Sequence, residues 1–290
     1  MNSKIYTLEN RNGTKAILTD AGASLMQFFF NGRNVVLGYD SADDYLTGWP
    51  PFGMTIGRFA NRIGDARFVL NGVTYELDKN DGKNMLHGGF NGWNHRLWDA
   101  VQSGNSVTFS LVSEDGDQGM PGRAEASVTY TLEDDDSLHI RYRAASDKDT
   151  YFNLTNHSYF NLGGKIEEHS LWMDSDVYAD IDDGLIPTGR FNPVDGHMDF
   201  RKEKPLDTSY DHCYMIANVN SGKPFAKARC GDISLEATTD LPAVQLFTGE
   251  GSSFCLETQF VPDSPNHPEF PRCLFKAGDL FESETVYRFS

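Results

Sequence analysis

The chain has 290 residues, of which 25 are basic and 42 acidic, so its formal net charge is −17. This charge speaks against nucleic acid or an anionic membrane as a partner, because both need a basic face. No apolar run has membrane-spanning length, the first residues lack the apolar core of a signal peptide, and the four cysteines show neither close pairs nor metal-type spacing. We therefore expect a cytoplasmic protein with free thiols.

Two hairpins are indicated early in the chain. Apolar segments flank the dipeptides Asn31-Gly32 and Asn71-Gly72. Asn-Gly suits tight hairpin turns because both central residues need positive φ. Both pairs of segments are therefore predicted to be antiparallel strands.

Strand signals continue through the rest of the chain, whereas helix signals are few. Polar and apolar residues alternate over 106–112 and 126–132, and another strand candidate follows at 138–144. Short helical candidates are limited to 41–45 and 199–209. We predict an all-β protein, a large antiparallel β-sandwich that forms a single domain over residues 1–290.

The segment Phe152–Gly164, F-N-L-T-N-H-S-Y-F-N-L-G-G, alternates in an unusual way. On a strand, successive side chains point to opposite faces, and one face here is mainly apolar. The other face is polar and aromatic, a composition that suits binding of a polyhydroxylated ligand; its members are Tyr151, Asn153, Thr155, His157, Tyr159 and Asn161. A structural histidine between two strands is the alternative for His157.

Residues 57–63, G-R-F-A-N-R-I, bring Arg58, Asn61 and Arg62 together. Arginines in an acidic chain can bind hydroxyls or carboxylates of a ligand. Structural ion pairs are an equally good interpretation for Arg58.

Two shorter motifs contain further candidates. In L-H-G-G, the glycines after His87 allow the backbone to approach a ligand closely, although a turn histidine is also compatible with this motif. In Y-D-H-C-Y, Asp211 can accept hydrogen bonds from two sugar hydroxyls, although Asp-His is common in plain turns.

Glu257 lies in the middle of the predicted strand F-C-L-E-T-Q, residues 254–259. A carboxylate is costly to bury in such a strand unless it is paired or functional. Partial burial would raise its pKa and prepare it to accept a proton near neutral pH. An edge-strand carboxylate that faces water is the alternative. Gln245 occupies a similar strand upstream.

Taken in order, these motifs resemble the aldose 1-epimerase (galactose mutarotase) family. The resemblance extends from about Ile17 onward, and its most specific parts are T-N-H-S-Y-F-N-L and F-C-L-E-T-Q. It implies a galactose mutarotase-like sandwich with an open carbohydrate-binding cleft, and it implies neither cofactor nor metal. It implies that Glu257 is the general base and His157 the general acid. The residues that it implies for sugar binding are Asn61, Arg62, His87, Asp211 and Gln245.

The resemblance implies interconversion of the α and β anomers of free aldoses such as galactose and glucose. For that reaction we expect an ionised Glu257 and a His157 that holds its proton near neutrality. The expected partner is a small monosaccharide, and the chain is a monomer or a homodimer. Connections before Tyr210 and between Gly249 and Phe254 are shorter than is usual in the family, which bears on substrate range.

Other functions remain compatible with some of these residues. A glycosidase needs two suitably placed carboxylates, and Asp211 with Glu257 is the only obvious pair. A non-catalytic carbohydrate-binding protein needs the cleft without the acid and base. An epimerase of a different or phosphorylated hexose is a further alternative, and a phosphate would require several basic residues. His87, His157 and Glu257 also have the residue types of a metal site.

Overall fold

The computed structural model describes residues 3–290, which form 26 strands. The strands are β1 Ile5–Glu9, β2 Lys15–Thr19, β3 Ser24–Phe30, β4 Arg33–Asn34, β5 Thr55–Ile56, β6 Arg62–Ile63, β7 Arg67–Leu70, β8 Val73–Glu76, β9 Met85–Leu86, β10 Asp99–Ser103, β11 Ser106–Ser113, β12 Ala124–Leu132 and β13 Ser137–Ser146. They continue with β14 Thr150–Tyr151, β15 Thr155–Asn156, β16 Ser170–Met173, β17 Val177–Ile181, β18 Pro187–Pro193, β19 Lys204–Pro205, β20 Asp211–Met215, β21 Ala226–Cys230, β22 Ile233–Thr239, β23 Ala243–Thr248, β24 Phe254–Gln259, β25 Leu274–Phe275 and β26 Leu280–Phe289.

Every helix in residues 3–290 is a short 3₁₀ helix. Together with the 26 strands, this confirms the all-β prediction. None of these helices approaches the length and apolar character that a membrane crossing requires. The helices are Ala42–Leu46, Gly64–Ala66, Trp93–His95, Asp117–Gly119, Ile166–Glu168, Gly196–Met198, Glu250–Ser252 and Ser264–Asn266.

A nine-stranded antiparallel sheet has the order β10-β11-β12-β13-β26-β22-β21-β16-β19. Its strands form because polar and apolar residues alternate, so that one face of the pleat can be buried. In β12, every second residue from Ala124 to Leu132 is buried, and the residues between them are exposed or half-buried. The strands predicted over 106–112 and 126–132 are both confirmed, and they pair with each other as β11 and β12.

A five-stranded sheet, β18-β17-β20-β23-β24, supplies the strand that contains Glu257. Its apolar face shares one hydrophobic core with the nine-stranded sheet. Two polar contacts join β24 to β26: the Tyr287 hydroxyl donates to the Leu256 carbonyl at 2.7 Å, and the hydroxyls of Thr258 and Thr285 are 2.5 Å apart. These contacts hold the Leu256 and Thr258 side of β24 against the core. Because successive side chains of a strand point to opposite faces, Glu257 points away from the core.

Both Asn-Gly hairpins are present. Asn31 and Gly32, like Asn71 and Gly72, have positive φ. The first return strand was predicted on the apolar residues 35–37, and this position is wrong: Arg33–Asn34 pair with β3, whereas Val36 makes a bridge to Phe160.

The segment 152–164 is not the single strand that its alternation predicted. Only Thr155–Asn156 form a strand, which pairs with β5, and Asn153 and Phe160 make isolated bridges. Side chains of both alternating sets are buried from Phe152 to Phe160, and the polar members of the core-facing set find hydrogen-bond partners. For example, the Asn156 amide donates to the Gly53 carbonyl and the Tyr130 hydroxyl, at 2.8 and 3.0 Å.

The two helical candidates have different outcomes. Residues 41–45 overlap the 3₁₀ helix Ala42–Leu46, whereas 199–209 contain the short strand β19 and no helix. All four cysteines lie in the described part of the chain, and they are free and buried.

Candidate active site

A polar cavity of about 100 Å³ gathers six of the seven predicted site residues. Cavities of about 440 and 520 Å³ lie elsewhere, but their linings contain no histidine together with a buried carboxylate. Chemistry rather than size therefore identifies the site. The cavity is lined by Trp49, Asn61, Arg62, Leu86, His87, His157, Tyr159, Asp211, Phe247 and Glu257.

Glu257 lines this cavity with its side chain only 2% exposed. It is opposite Gln245 in the register of β23 and β24, and its side chain points away from the core face formed by Leu256 and Thr258. Burial raises its pKa well above the ordinary value, the negative charge of Asp211 adds to this rise, and Arg62 opposes it. The water-facing alternative for Glu257 is therefore excluded.

His157 follows β15 and is held by its backbone. Its N–H donates to the Met54 carbonyl, and its own carbonyl accepts from Gly53, both at 2.9 Å. The imidazole stacks on Tyr159 with ring centres 4.8 Å apart and ring planes 10° from parallel. Burial lowers the pKa of His157 to about 3. The aromatic face predicted around His157 thus orients the ring.

His157 Nε2 lies 3.4 Å from Glu257 Oε2. The two atoms are close, but Oε2 makes no hydrogen bond with any residue in the described range 3–290. Because burial raises the pKa of Glu257 and lowers that of His157, the pair favours a neutral arrangement with one proton on the carboxyl group. The sequence instead predicts the proton on His157. The difference arises because both groups lose nearly all contact with water.

His87 is the third buried titratable group of the cavity, and its ring centre is 5.2 Å from that of His157. Its Nδ1 accepts a hydrogen bond from the backbone N–H of Asn61 at 3.2 Å. Burial and the nearby His157 and Arg62 hold its pKa well below the usual value, so the ring is neutral. The single ring proton must then be on Nε2, which makes Nε2 a hydrogen-bond donor.

The glycine after His87 is required by a close backbone approach. Gly88 has a φ of +83°, and a Cβ there would lie 2.1 Å from the Gly57 carbonyl oxygen. The L-H-G-G motif therefore packs against the G-R-F-A-N-R-I segment, and this packing brings His87 to Asn61.

Within that segment, the residues have different roles. Arg62 donates through Nε to Asp81 at 2.8 Å and lines the cavity. The Asn61 side chain accepts from the Arg62 backbone N–H at 2.8 Å. Arg58, in contrast, is buried outside the cavity, where it donates to the carbonyls of Pro121 and Gly122. Its role is structural, but its partners are carbonyl groups and not the carboxylates of the predicted ion pairs.

Gln245 is the one predicted site residue that does not line the cavity. It lies between Cys213 and Glu257 across three neighbouring strands. Its amide donates to Asp211 Oδ1 at 2.6 Å. Gln245 therefore holds the Asp211 carboxylate in position without lining the cavity itself.

Sequence reasoning missed three residues of the lining, namely Leu86, Phe247 and Trp49. Leu86 directly precedes the predicted His87. Phe247 is two residues after Gln245 in β23, and the alternation of that strand was a usable signal for it. Trp49 lies in an irregular segment, and no pattern in the sequence points to it.

The atoms of His87, His157 and Glu257 that are able to bind metal lie within 4.8 Å of one another. Metal binding through His87 Nε2 requires that atom to be unprotonated. The hydrogen bond from Asn61 to Nδ1 opposes this, because it places the ring proton on Nε2. The residues therefore suit hydrogen bonding and proton transfer better than a three-ligand metal centre.

Comparisons with known proteins agree with this geometry. A family model described as aldose 1-epimerase matches residues 4–288. The chain is 38% identical to the aldose 1-epimerase of Haemophilus influenzae over 327 aligned positions, which cover 99% of this chain and 95% of that protein. It is 39% identical to the galactose mutarotase of Rattus norvegicus, with 89% and 84% of the two chains covered. The solved structure of an aldose epimerase homologue from C. elegans superimposes with a TM-score of 0.94 at 31% identity, covering 99% of each chain.

Proposed function

The chain belongs to the aldose 1-epimerase family, whose members are isomerases, and from that premise we propose that it interconverts the α and β anomers of free aldoses such as galactose and glucose. The observation that carries the proposal is the 3.4 Å distance between His157 Nε2 and Glu257 Oε2 in the lining of a polar cavity. Opening a pyranose ring requires one proton to leave the anomeric hydroxyl and one to reach the ring oxygen. Both oxygens are bonded to the same carbon, so two adjacent groups can contact them together.

In our mechanism, Glu257 accepts the proton of the anomeric hydroxyl while His157 donates a proton to the ring oxygen. The C1–O5 bond breaks, and the open-chain aldehyde is accompanied by a neutral pair of side chains. Rotation about C1–C2 presents the other face of the aldehyde. Both transfers then run in reverse, the ring closes as the other anomer, and each side chain recovers its starting protonation state.

The neutral pair that burial favours has a consequence for this cycle. It is the protonation state that accompanies the open-chain sugar, whereas the cyclic sugar needs an ionised Glu257 and a protonated His157. Binding of the cyclic sugar is therefore coupled to transfer of one proton from Glu257 to His157. Sugar hydroxyls around the pair stabilise the two charges by hydrogen bonding.

Two proton-transfer groups are enough for the rate that an enzyme needs. A spontaneous reaction that takes on the order of an hour has a barrier of roughly 22 kcal/mol, and a turnover of about a thousand per second needs roughly 13 kcal/mol. The difference of about 9 kcal/mol is within the range of two such groups at ~10²–10⁴-fold each, together with positioning.

We assign sugar binding to the remaining predicted residues. His87 donates through Nε2–H, Asp211 accepts from hydroxyls while Gln245 holds it, and Arg62 donates through the guanidinium atoms that Asp81 does not engage. Asn61 keeps His87 and Arg62 in place.

The charges of the cavity support a neutral rather than a phosphorylated substrate. Arg62 is the one arginine or lysine in the lining, and it is already paired with Asp81. Asp211 and Glu257 are acidic, and the net charge of the chain is −17. A phosphate dianion would thus meet more negative than positive groups.

Anomer exchange measured by NMR and polarimetry tests the proposal across galactose, glucose, xylose, arabinose and glucose 6-phosphate. We expect accelerated exchange of free aldoses, unchanged by a chelator, and a lower kcat/KM for glucose 6-phosphate than for glucose. Equilibration no faster than in buffer for every aldose would refute the proposal. Sugar binding without acceleration would instead indicate a carbohydrate-binding protein, and release of reducing sugar from glycosides would indicate a glycosidase.

A further inference from the structure

Gln259 is a fully buried glutamine, two residues beyond Glu257 in β24. Neither its amide nitrogen nor its amide oxygen makes a hydrogen bond with any residue in the described range 3–290. An amide left unpaired away from water costs free energy. We propose that Gln259 is a positioning residue, which together with Thr155 holds a water molecule against the Glu257 carboxyl group. This inference rests on the proposed function, because it adds a support for the base of the same reaction.

The spacing along β24 fits one bridging water. Gln259 and Glu257 are on the same face of the strand, because successive side chains alternate. Their Cα atoms are about 6.6 Å apart by strand geometry, whereas a hydrogen bond joins two heavy atoms at about 2.9 Å. Two side chains of equal length that stand side by side at this spacing are joined by two hydrogen bonds through a water. Glu257 Oε2 has no other hydrogen-bond partner within residues 3–290.

The segment 153–160 brings a third polar group to the same place. It runs along β24, which it contacts at one point through the proton-transfer pair. Further along, Asn153 Oδ1 accepts from the Phe260 N–H at 2.8 Å. Thr155 lies between these two contacts and therefore beside Gln259. It is fully buried, and its hydroxyl makes no hydrogen bond in the described part of the chain.

The neighbouring strand β23 supplies one more acceptor. Gln245 lies opposite Glu257 and uses its amide nitrogen for Asp211, while its Oε1 is buried without a partner among residues 3–290. A buried water typically makes two to four hydrogen bonds. The groups that can provide them are the side chains of Thr155, Gln245, Glu257 and Gln259.

The alternative is that protein atoms alone satisfy the Gln259 amide. The polar neighbour in β20 is Cys213: burial raises the pKa of its thiol to about 12, and contact with Gln259 opposes that rise. A thiol is only a weak donor and a weak acceptor. Ala243, directly opposite Gln259 in β23, has no polar side chain. A water, which donates and accepts strongly, therefore suits this amide better than its protein neighbours do.

The water stabilises the state of Glu257 that the proposed reaction needs. Glu257 must be ionised to accept the proton of the anomeric hydroxyl, whereas burial raises its pKa. A donor to the carboxylate favours the ionised form and fixes the direction of its oxygens. Gln259 does not line the cavity, so it acts on the rate through Glu257 and not on the affinity for the sugar.

Gln259→Met and Gln259→Asn test the positioning role in anomer exchange of the fastest free aldose. Met keeps the length of the side chain without the amide, whereas Asn keeps the amide and leaves room for water. We expect Gln259→Met to lower kcat by roughly 10- to 100-fold, the range for a hydrogen bond to a charged group, with KM changed less than about threefold. Gln259→Asn should recover most of this loss.

Thr258→Val is the matched control, because the neighbouring Thr258 faces the core and bonds Thr285. It should lower the resistance to urea but leave kcat within about twofold of the wild type. Equal losses of kcat in Thr258→Val and Gln259→Met would overturn the inference, since both would then act through the fold. Unchanged kcat in Gln259→Met together with increased stability would also overturn it, because the amide would then be a dry, unpaired group.

Two measurements on the resting protein do not depend on turnover. A crystal structure that resolves waters should place one within about 3.2 Å of both the Gln259 amide nitrogen and the Glu257 carboxyl group. Infrared difference spectra against Glu257→Gln should show the C=O band of protonated Glu257 at higher wavenumber in Gln259→Met, because a hydrogen bond is lost. A dry site or an unshifted band would contradict the inference. A wild type that holds the water but exchanges no aldose would refute the proposed function and leave the support of Glu257 in place.

Discussion

Gln245 lies directly opposite Glu257 on adjacent antiparallel strands, and it donates its amide hydrogen to Asp211 at 2.6 Å. A neutral amide is thus placed between two carboxyl groups. Burial raises the pKa of Glu257, and the register of the three strands keeps Asp211 near enough to add to that rise while hydrogen bonding keeps Asp211 in place. The sheet therefore sets the proton affinity of the group to which we assign base catalysis.

Glu257→Gln should reduce kcat by at least about 10²-fold, because the amide keeps the shape but cannot accept a proton. Galactose binding measured by titration calorimetry should be largely retained. The same substitution at Glu125, an exposed residue of β12, serves as the control. Turnover near that of the wild type in Glu257→Gln would contradict the assignment.

Glu257→Gln combined with His157→Asn should be little worse than either single variant, because both groups act in one proton relay. Stopped-flow polarimetry of all three variants checks this. Multiplicative losses would show that the two side chains contribute independently.

The pH dependence of kcat/KM should be bell-shaped with a wide plateau. The active pair holds one proton in total. It gains a second on the acid side, where His157 protonates with a pKa of about 3, and it loses its proton on the alkaline side, where Glu257 ionises above its ordinary pKa. The limbs belong to the coupled pair. An acid limb centred near pH 6.5 would contradict the burial effect on His157.

His87→Asn should weaken sugar binding and lower turnover only in part. The Asn side chain can still accept from the Asn61 N–H, and Asn tolerates the φ of +52° at this position, but the donor at Nε2 is lost. Initial rates over a range of galactose concentrations separate KM from kcat. A loss as large as that in Glu257→Gln would instead place the catalytic acid at His87.

Folding stability should depend on pH through His157. In the unfolded chain its pKa is about 6.5, whereas burial lowers it to about 3 in the folded protein. The unfolded state therefore binds more protons between these values, and the free energy of unfolding decreases as the pH falls through this window. Urea unfolding at pH 7 and pH 5 should show a smaller decrease for His157→Asn than for the wild type. Identical decreases would show that other groups determine the effect.

The site was predictable to the extent that local alternation determines which way side chains point. β24 is a strand as its sequence predicted. Because side chains alternate along a strand, Leu256 faces the core and Glu257 points to the other face of the sheet. The prediction of one continuous strand around His157 is wrong, because alternation cannot reveal that both faces of this segment are buried. Nor can it reveal that Thr155–Asn156 pair with a strand a hundred residues earlier.

Trp49 shows a second limit of sequence reasoning. It reaches the cavity through long-range packing of an irregular segment, and such packing leaves no periodic trace in the sequence. The protonation of the pair was also out of reach, because it depends on how completely the surrounding chain excludes water from Glu257 and His157.

The position of β26 has a consequence for how this protein reaches its native state. Within the described residues, β26 alone joins β13 to β22, strands that are far apart in sequence. Until it inserts, the nine-stranded sheet consists of two halves, each with an unpaired edge that is able to associate with another chain. The same strand holds β24 through Tyr287 and Thr285. Incomplete insertion would therefore produce aggregation-prone molecules in which Glu257 also lacks its support.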